Sequence, residues 1–268
     1  MTDDTTDRDP EGRITSEVRG HILLMGIDRA EKYNGFTPTM FSQLVDAYTE
    51  LENNPDLRVG ILHAHGNNFT AGLDLPKFAD AMAESGSLLP THGIDPFGLR
   101  KPFRSKPIIS AVQGICFTAG IELMLAGDIV IAAEGTRFSQ LEVGRGVMAV
   151  GGATTRMVER AGWGNAMQVL LVGGEFDTDA ALRYGFVQEV VALGQQLERA
   201  IELAETIAAQ APLAVYATLE NSRTSVHEGP DAATAQFKEI TRRLANSEDA
   251  KEGVQSFIEK RPPQYKGR

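Results

Sequence analysis

Residues 106–152 constrain this chain more than any other stretch, and within them 108–128 read as a strand, a corner and a helix. Ile108, Ile109, Ser110, Ala111 and Val112 form a short run rich in branched apolar residues, suited to a strand buried on both faces, and Gly114 ends it. The small residues Thr118-Ala119-Gly120 then turn the chain into an apolar helix over 121–126 that carries one carboxylate, Glu122. A helix that starts at such a corner points unpaired N–H groups and the positive end of its dipole outward, toward any oxygen bearing negative charge. Glu122 lies in the first turn and so sits beside an anion site. A second isolated carboxylate, Glu142, follows the apolar strand 129–133 within Phe138-Ser139-Gln140-Leu141-Glu142-Val143-Gly144. Two carboxylates separated by a helix and a strand that fold back can flank one small cavity. Poor hydration there raises their proton affinities and pushes them apart, as acid–base work requires. The structural alternative puts Glu122 in a solvated stripe with Ala119 and Ala126 and leaves Glu142 an ordinary surface residue.

The remainder of the chain reads as alternating strands and helices. Residues 14–18 and 22–27 form two strands about the Arg19-Gly20-His21 turn, and a polar loop runs over 28–35. Thr37 and Pro38 look like the N-cap and first-turn proline of an amphipathic helix to Glu52, with Phe41, Leu44, Val45, Tyr48 and Leu51 at helical spacing. A buried strand over 59–63 follows, so that helix and strand suit a right-handed crossover. The glycines of Gly66-Asn67-Asn68-Phe69-Thr70-Ala71-Gly72-Leu73-Asp74-Leu75 permit a tight path and close approach to a ligand. Residues 78–83 are expected to be helical and 85–98 loop-like, a lid or a ligand wall. Gly151-Gly152 before a helix over 153–161 is a weak phosphate-loop signal, since the Walker spacing and lysine are absent. Helices over 165–172, 179–184 (capped by Thr178), 195–210, 213–225, 231–246 and 247–260 and one strand over 187–191 complete the reading. Their repeated apolar faces exceed what one helical layer needs, which suits burial in an oligomer.

The ordered set of motifs resembles the crotonase, or enoyl-CoA hydratase/isomerase, superfamily, over residues 18–265. Asp28-Arg29-Ala30-Glu31-Lys32-Tyr33-Asn34 is similar to its opening substrate loop, and Asn68-Phe69-Thr70-Ala71-Gly72-Leu73-Asp74-Leu75 to its first oxyanion loop. Lys106-Pro107 through Asp128 resembles the second oxyanion loop, and Phe138-Ser139-Gln140-Leu141-Glu142 the segment bearing the second glutamate.

The resemblance implies an α/β crotonase (ClpP-like) spiral of ββα units with a C-terminal helical trimerisation region. The expected division is a flexible acidic tail over 1–12, a core over 13–205 and a helical region over 206–268. It implies Glu122 and Glu142 as catalytic groups and the backbone N–H groups of Leu73 and Ala119 as the oxyanion hole. Lys32, Ala71, Asp74, Leu75 and Gly120 are implied to contact substrate or its coenzyme A portion, and Gly151-Gly152 to wall the acyl pocket. Leu73 stands where alanine is common and Ala119 where glycine is usual. Leu141 stands where the family often has proline, and Ala149 and Val150 where it often has proline and glycine, which bears on pocket shape. The implied reaction is addition of water across the 2,3-double bond of a trans-2-enoyl-CoA. An enoyl-CoA delta isomerase and a noncatalytic acyl-CoA-binding protein are the alternatives. No cofactor is implied beyond the coenzyme A of the substrate, and the implied assembly is a homotrimer or a dimer of trimers.

Composition narrows the partners. The formal net charge of −10 over 268 residues argues against general attraction to nucleic acid or to an anionic membrane. Lys101, Arg104 and Lys106 form the clearest basic cluster, either ordinary surface charge or a contact for coenzyme A phosphates. Lys260 and Arg261 are solvated tail charges or approach the coenzyme A of a neighbour. The single cysteine, Cys116, lies between Ile115 and Phe117 and reads as buried and apolar, in keeping with a reducing, cytoplasmic setting. His63 and His65 share a strand face with no third metal ligand evident, so no metal is expected. No Gly-x-Ser-x-Gly elbow occurs, which disfavours a serine hydrolase.

Overall fold

The computed structural model describes residues 11–78 and 90–268. Most of the expected acidic tail, nearly all of the expected helix over 78–83 and the first part of the expected loop over 85–98 lie outside the described residues. A six-stranded sheet organises the fold, built from β1 (Arg13–Arg19), β2 (Ile22–Asp28), β3 (Val59–Ala64), β4 (Ile108–Val112), β6 (Ile129–Ala133) and β9 (Glu189–Val191) in that spatial order. The β1–β2 pair is an antiparallel hairpin, and every later pairing in this sheet is parallel.

Period-two alternation divides the apolar residues of this sheet between two cores. Ile22, Leu24, Val59, Ile61, Ile109, Ala111 and Ile131 pack with Ala200, Ile201, Ala204 and Ala208. Those last four belong to a helix later in the chain, Gln196–Ala208. Leu23, Met25, Ile27, Leu62, Ile108, Val112, Val130 and Ala132 join the larger core with Phe41, Leu44, Tyr48 and Leu51 of α1 (Pro38–Asn53). The Thr37 side chain caps α1 by accepting from the Met40 amide at 3.2 Å.

The strand, corner and helix expected from 108–126 are present. After β4 the chain makes the short strand β5 (Ile115–Phe117), turns at Thr118 and enters α2 (Ala119–Ala126). β5 is part of a second, three-stranded sheet with β7 (Arg137–Ser139) and β8 (Glu175–Phe176), which the sequence reading did not contain. Next come α3 (Ala153–Ala161), α4 (Trp163–Val172), α5 (Thr178–Arg183) and α6 (Gln196–Ala208). The cap of α5 is Asp177, whose side chain accepts from the Ala180 amide at 2.9 Å, and not Thr178 as expected.

The C-terminal helices are α7 (Pro212–Glu228), α8 (Pro230–Ala235), α9 (Phe237–Ala245) and α10 (Glu248–Glu259). The single helix expected over 231–246 is therefore two, broken at Gln236. The tail returns to the body of the chain. Arg58, just before β3, donates to the carbonyls of Ala208 and Tyr265, each at 2.8 Å. No helix among the described residues is long and apolar enough to cross a membrane.

The expected basic cluster does not form on the surface. Arg104 is buried and grips Asp128 through both oxygens, at 2.7 and 2.9 Å, and Lys106 donates to the carbonyls of Leu51 and Asn54 at 2.7 and 2.6 Å. Their charges are consumed inside the fold, which removes them as contacts for coenzyme A phosphates.

Candidate active site

Two loops meet at the start of α2. The first runs from Asn68 to Leu75 and is stitched to β5 as a strand would be. Thr70 N–H donates to the Ile115 carbonyl and Phe117 N–H to the Thr70 carbonyl, both at 3.0 Å. Asn68 Oδ1 accepts from the Ile115 amide at 3.0 Å, and Asn34 Nδ2 donates to the carbonyls of His65 and Asn68 at 2.9 and 2.7 Å. The outer edge of the loop is equally fixed, because Phe36 N–H donates to the Gly72 carbonyl at 2.8 Å and Asp74 N–H to the Phe36 carbonyl at 2.9 Å. Among the described residues the Leu73 amide between them has no acceptor, and neither has the Ala119 amide that opens α2. The loops are in contact at the preceding residues, Gly72 and Thr118: a Cβ on Gly72, whose φ is +100°, would stand 1.8 Å from Thr118 Oγ1. Only glycine fits there. The contact lies immediately before each of the two unengaged N–H groups, Leu73 after Gly72 and Ala119 after Thr118.

Glu122 is buried, with 3% of its surface exposed, which rules out the solvated stripe. Its Oε1 accepts from the Gly151 amide at 2.7 Å and from the Ala153 amide at 3.2 Å. The Gly151-Gly152 turn and the first residue of α3 therefore do bind an anion, and that anion is the Glu122 carboxylate. A side chain at Gly151 would stand 2.6 Å from Glu122 Oε2, so glycine lets the backbone close on the carboxylate. Burial pushes the Glu122 pKa up to about 7; the Ala153 amide opposes this, the nearby Glu142 charge adds to it, and the Gly151 amide opposes it. Glu142 opens a 3-10 turn (Glu142–Arg145) after β7 and is half-buried. Burial raises its pKa too, and its Oε2 is buried with no hydrogen-bond partner among the described residues. The fold thus brings together the two carboxylates that the sequence singled out. The Ala119 amide lies one helical turn before Glu122 on α2.

The other expected contacts are more dispersed. Ala71 and Leu75 are exposed on the first loop, and Gly120 is buried at the start of α2, where a Cβ would stand 2.5 Å from Thr70 Cγ2. Lys32 is exposed on the 3-10 turn Ala30–Lys32. The Asp74 carboxylate accepts from the buried Arg29 at 2.8 Å, and Arg29 also donates to the Gly35 carbonyl at 2.9 Å. The Arg29–Asp74 bond ties the opening loop to the loop over 68–75. Sequence reasoning missed Arg29, Gly151 and Ala153 as supports. The signal for the last two was the glycine pair before a helix, which needed an anion from within the chain to complete it.

His63 on β3 and His65 just beyond its end have ring centroids 5.3 Å apart. Burial lowers the His63 pKa to about 4, and among the described residues no cluster of three metal-ligating side chains occurs. Cys116 is buried, and burial raises its thiol pKa well above the ordinary value, so it is a packing residue.

The sequence profile described as enoyl-CoA hydratase/isomerase matches residues 17–268. The chain belongs to that family. It is 34% identical to the mevalonyl-coenzyme A hydratase sidH of Aspergillus fumigatus, over 96% of this chain and 95% of that protein. It is 32% identical to the enoyl-CoA hydratase EchA19 of Mycobacterium tuberculosis, over 98% of this chain and 99% of that one. Among solved structures, a probable enoyl-CoA hydratase/isomerase from Mycobacterium abscessus superposes with a TM-score of 0.92 at 45% identity. That match covers 95% of this chain and 98% of the other. The fold is accordingly the crotonase fold, and the protein is an enzyme of the enoyl-CoA hydratase class.

Proposed function

We propose that the enzyme adds water across the 2,3-double bond of a trans-2-enoyl-CoA, with Glu122 and Glu142 as the reacting acid–base pair and the Leu73 and Ala119 amides as the oxyanion hole. The observation that carries this reading is the pair of carboxylates with raised proton affinity, Glu122 buried and Glu142 half-buried, with the unengaged Ala119 N–H one helical turn before Glu122. Burial raises the proton affinity of both groups, so each is suited to holding and passing a proton. Glu122, fixed through Oε1 by two amides, holds the water and takes a proton from it as the water oxygen bonds to C3. Electron density moves through C2 onto the thioester oxygen, giving an enolate, and Glu142 delivers its proton to C2. Return of the proton from Glu122 to Glu142 resets the pair. Water and thioester alone balance the reaction, so the reading requires no redox partner.

The hole acts on the step at which charge reaches the oxygen. Donors already aimed there need no reorganisation, and each contributes about 3–4 kcal/mol in measured cases. Holding the water in place further lowers the entropic part of the barrier. Lys32, exposed on the opening loop, is the residue we assign to the coenzyme A phosphates, while Ala71, Asp74, Leu75 and Gly120 shape the approach to the hole. The names of the hydratase relatives support this chemistry over isomerisation.

A core over 13–205 with a helical region over 206–268 that assembles trimers, single or paired, is part of the same reading. Its support is the apolar stripe Val254, Phe257 and Ile258, exposed on α10. A cytoplasmic location belongs to it as well, supported by the lone buried thiol.

The test is loss of enoyl-thioester ultraviolet absorbance on mixing the protein with trans-2-enoyl-CoAs of increasing chain length, with products identified by mass. A gain of one water that needs both glutamates is expected. A product of unchanged mass with a shifted double bond would replace the hydratase with the isomerase, and saturable binding without turnover would leave an acyl-CoA-binding protein.

A further inference from the structure

Thr118 stands where the two loops meet, in a conformation that its residue type disfavours. Its φ of 49° and ψ of −117° belong to a region that glycine occupies freely and a β-branched residue enters only under strain. The surroundings over-determine it. Thr118 N–H donates to the Ser139 carbonyl at 2.9 Å, and its carbonyl accepts from the Ile121 and Glu122 amides at 2.9 and 3.2 Å. Its side chain reaches the other loop and fills the volume that Gly72 leaves open: a Cβ there would lie 1.8 Å from Thr118 Oγ1 and 3.2 Å from Thr118 Cβ. Each residue of this contact immediately precedes one of the two unengaged amides, Leu73 after Gly72 and Ala119 after Thr118.

We propose that Thr118 is a positioning residue: its side chain, seated in the space at Gly72, is the spacer that sets the separation of the Leu73 and Ala119 amides. The proposal rests on the assignment of those amides as the oxyanion hole. A glycine at 118 would relax the backbone but remove the wedge, and the loops would close on each other. Donors must lie about 2.7–3.1 Å from the place where the charged oxygen forms. A closure of a few tenths of an ångström therefore weakens the enolate more than the bound substrate, which carries less charge on that oxygen.

Four variants separate the spacer from a hydroxyl effect. Thr118→Gly and Thr118→Ala empty the contact, whereas Thr118→Ser and Thr118→Val refill it, valine without a donor. With the crotonyl thioester of coenzyme A as substrate, Gly and Ala are expected to lower kcat at least tenfold with KM within threefold of wild type, while Ser and Val keep at least a third of kcat. Melting temperatures confirm the fold, which glycine suits at this φ. Wild-type kcat in Thr118→Gly, or a loss confined to KM, would overturn the spacer. So would a loss in Thr118→Val equal to that in Thr118→Gly, which would mark hydroxyl donation instead.

A second readout does not depend on turnover. Butyryl-CoA labelled with carbon-13 at its carbonyl cannot be hydrated, and its infrared stretch falls in frequency when two donors grip the oxygen. The fall is expected in wild type and Thr118→Val and reduced in Thr118→Gly. Equal falls in wild type and Thr118→Gly overturn the role of Thr118, and no fall in wild type overturns the hole assignment and the role with it. A normal wild-type fall without hydration of any enoyl-CoA refutes the reaction alone.

Discussion

Burial acts first on Glu122, pushing its pKa up to about 7; the Ala153 amide resists, Glu142 adds to the rise, and the Gly151 amide resists again. Glu142→Gln removes the like charge while keeping the shape, so Glu122 is expected to titrate lower in that variant, read from its carboxyl band in infrared difference spectra. Hydration is expected to fall by about 10²–10⁴-fold with thioester affinity retained; near-normal turnover would sink the paired-carboxylate scheme. Glu122 also ties stability to pH. Its carboxyl has an unfolded value near 4.5 and a higher folded one, so between the two the folded chain binds more protons. Its contribution is fully present below the unfolded value and is lost as pH rises through about 7. Glu122→Gln abolishes that titration and still offers an oxygen to the Gly151 and Ala153 amides. The variant is therefore expected to gain about 2–3 kcal/mol relative to wild type between pH 5 and pH 8. Urea unfolding at both pH values measures it, and a gain that does not grow with pH would contradict the buried charge.

Asp128, between α2 and β6, joins several elements at once. Burial alone would raise its pKa, but Arg104, the Ile108 amide and Arg223 bring it below the ordinary value. Arg104 also donates to the carbonyls of Lys106 and Ala126, at 2.6 and 2.8 Å, so one guanidinium closes the end of α2 and the entry to β4. Arg223 of α7 reaches the same carboxylate at 3.4 Å and donates to the Arg104 carbonyl. Asp128→Ala strands Arg104 in the interior and is expected to cost about 3–5 kcal/mol by urea unfolding. A cost below about 1 kcal/mol would mean that water reaches Arg104. The same cluster marks where sequence reading stops. The parallel strands were legible because branched apolar runs leave few other fates, and α1 because its cap, proline and apolar spacing agree. Glu122 and Glu142 were legible as lone carboxylates among apolar neighbours. Arg104 and Lys106 were not, because a charge reads as exposed until its buried partner is known. β5, β7 and β8 were invisible for a related reason: strands of three, three and two residues carry no periodicity, and their pairing is imposed by tertiary contact.

Among the described residues, α10 leaves an apolar face without a cover. Val254, Phe257 and Ile258 lie three and four positions apart on α10, so they project from one side of the helix, and Phe257 is 84% exposed. The other side is spoken for. Asp249 accepts from the Lys266 and Gly267 amides at 2.7 and 2.9 Å, and Glu252 pairs with Arg261, which keeps the tail folded against α10 and the stripe turned outward. Arg261 is thereby engaged within its own chain, which weakens the expectation that it reaches a neighbour's coenzyme A. A helix pinned on one side and bare on the other suits burial against further copies of the chain. Light scattering at micromolar concentration is expected to give a multiple of three chains for wild type and a smaller species for the double variant Phe257→Asp, Ile258→Asp. A monomeric wild type would remove the oligomer reading, and an unchanged double variant would move the interface off this stripe. The kinetics of the dissociated variant carry the argument further. Glu122, Glu142, Leu73, Thr118 and Ala119 all lie on one chain, so kcat is expected to persist after dissociation. A rise confined to KM would show that the neighbouring chain completes the coenzyme A groove, while loss of kcat would show that assembly holds the two loops at their working distance.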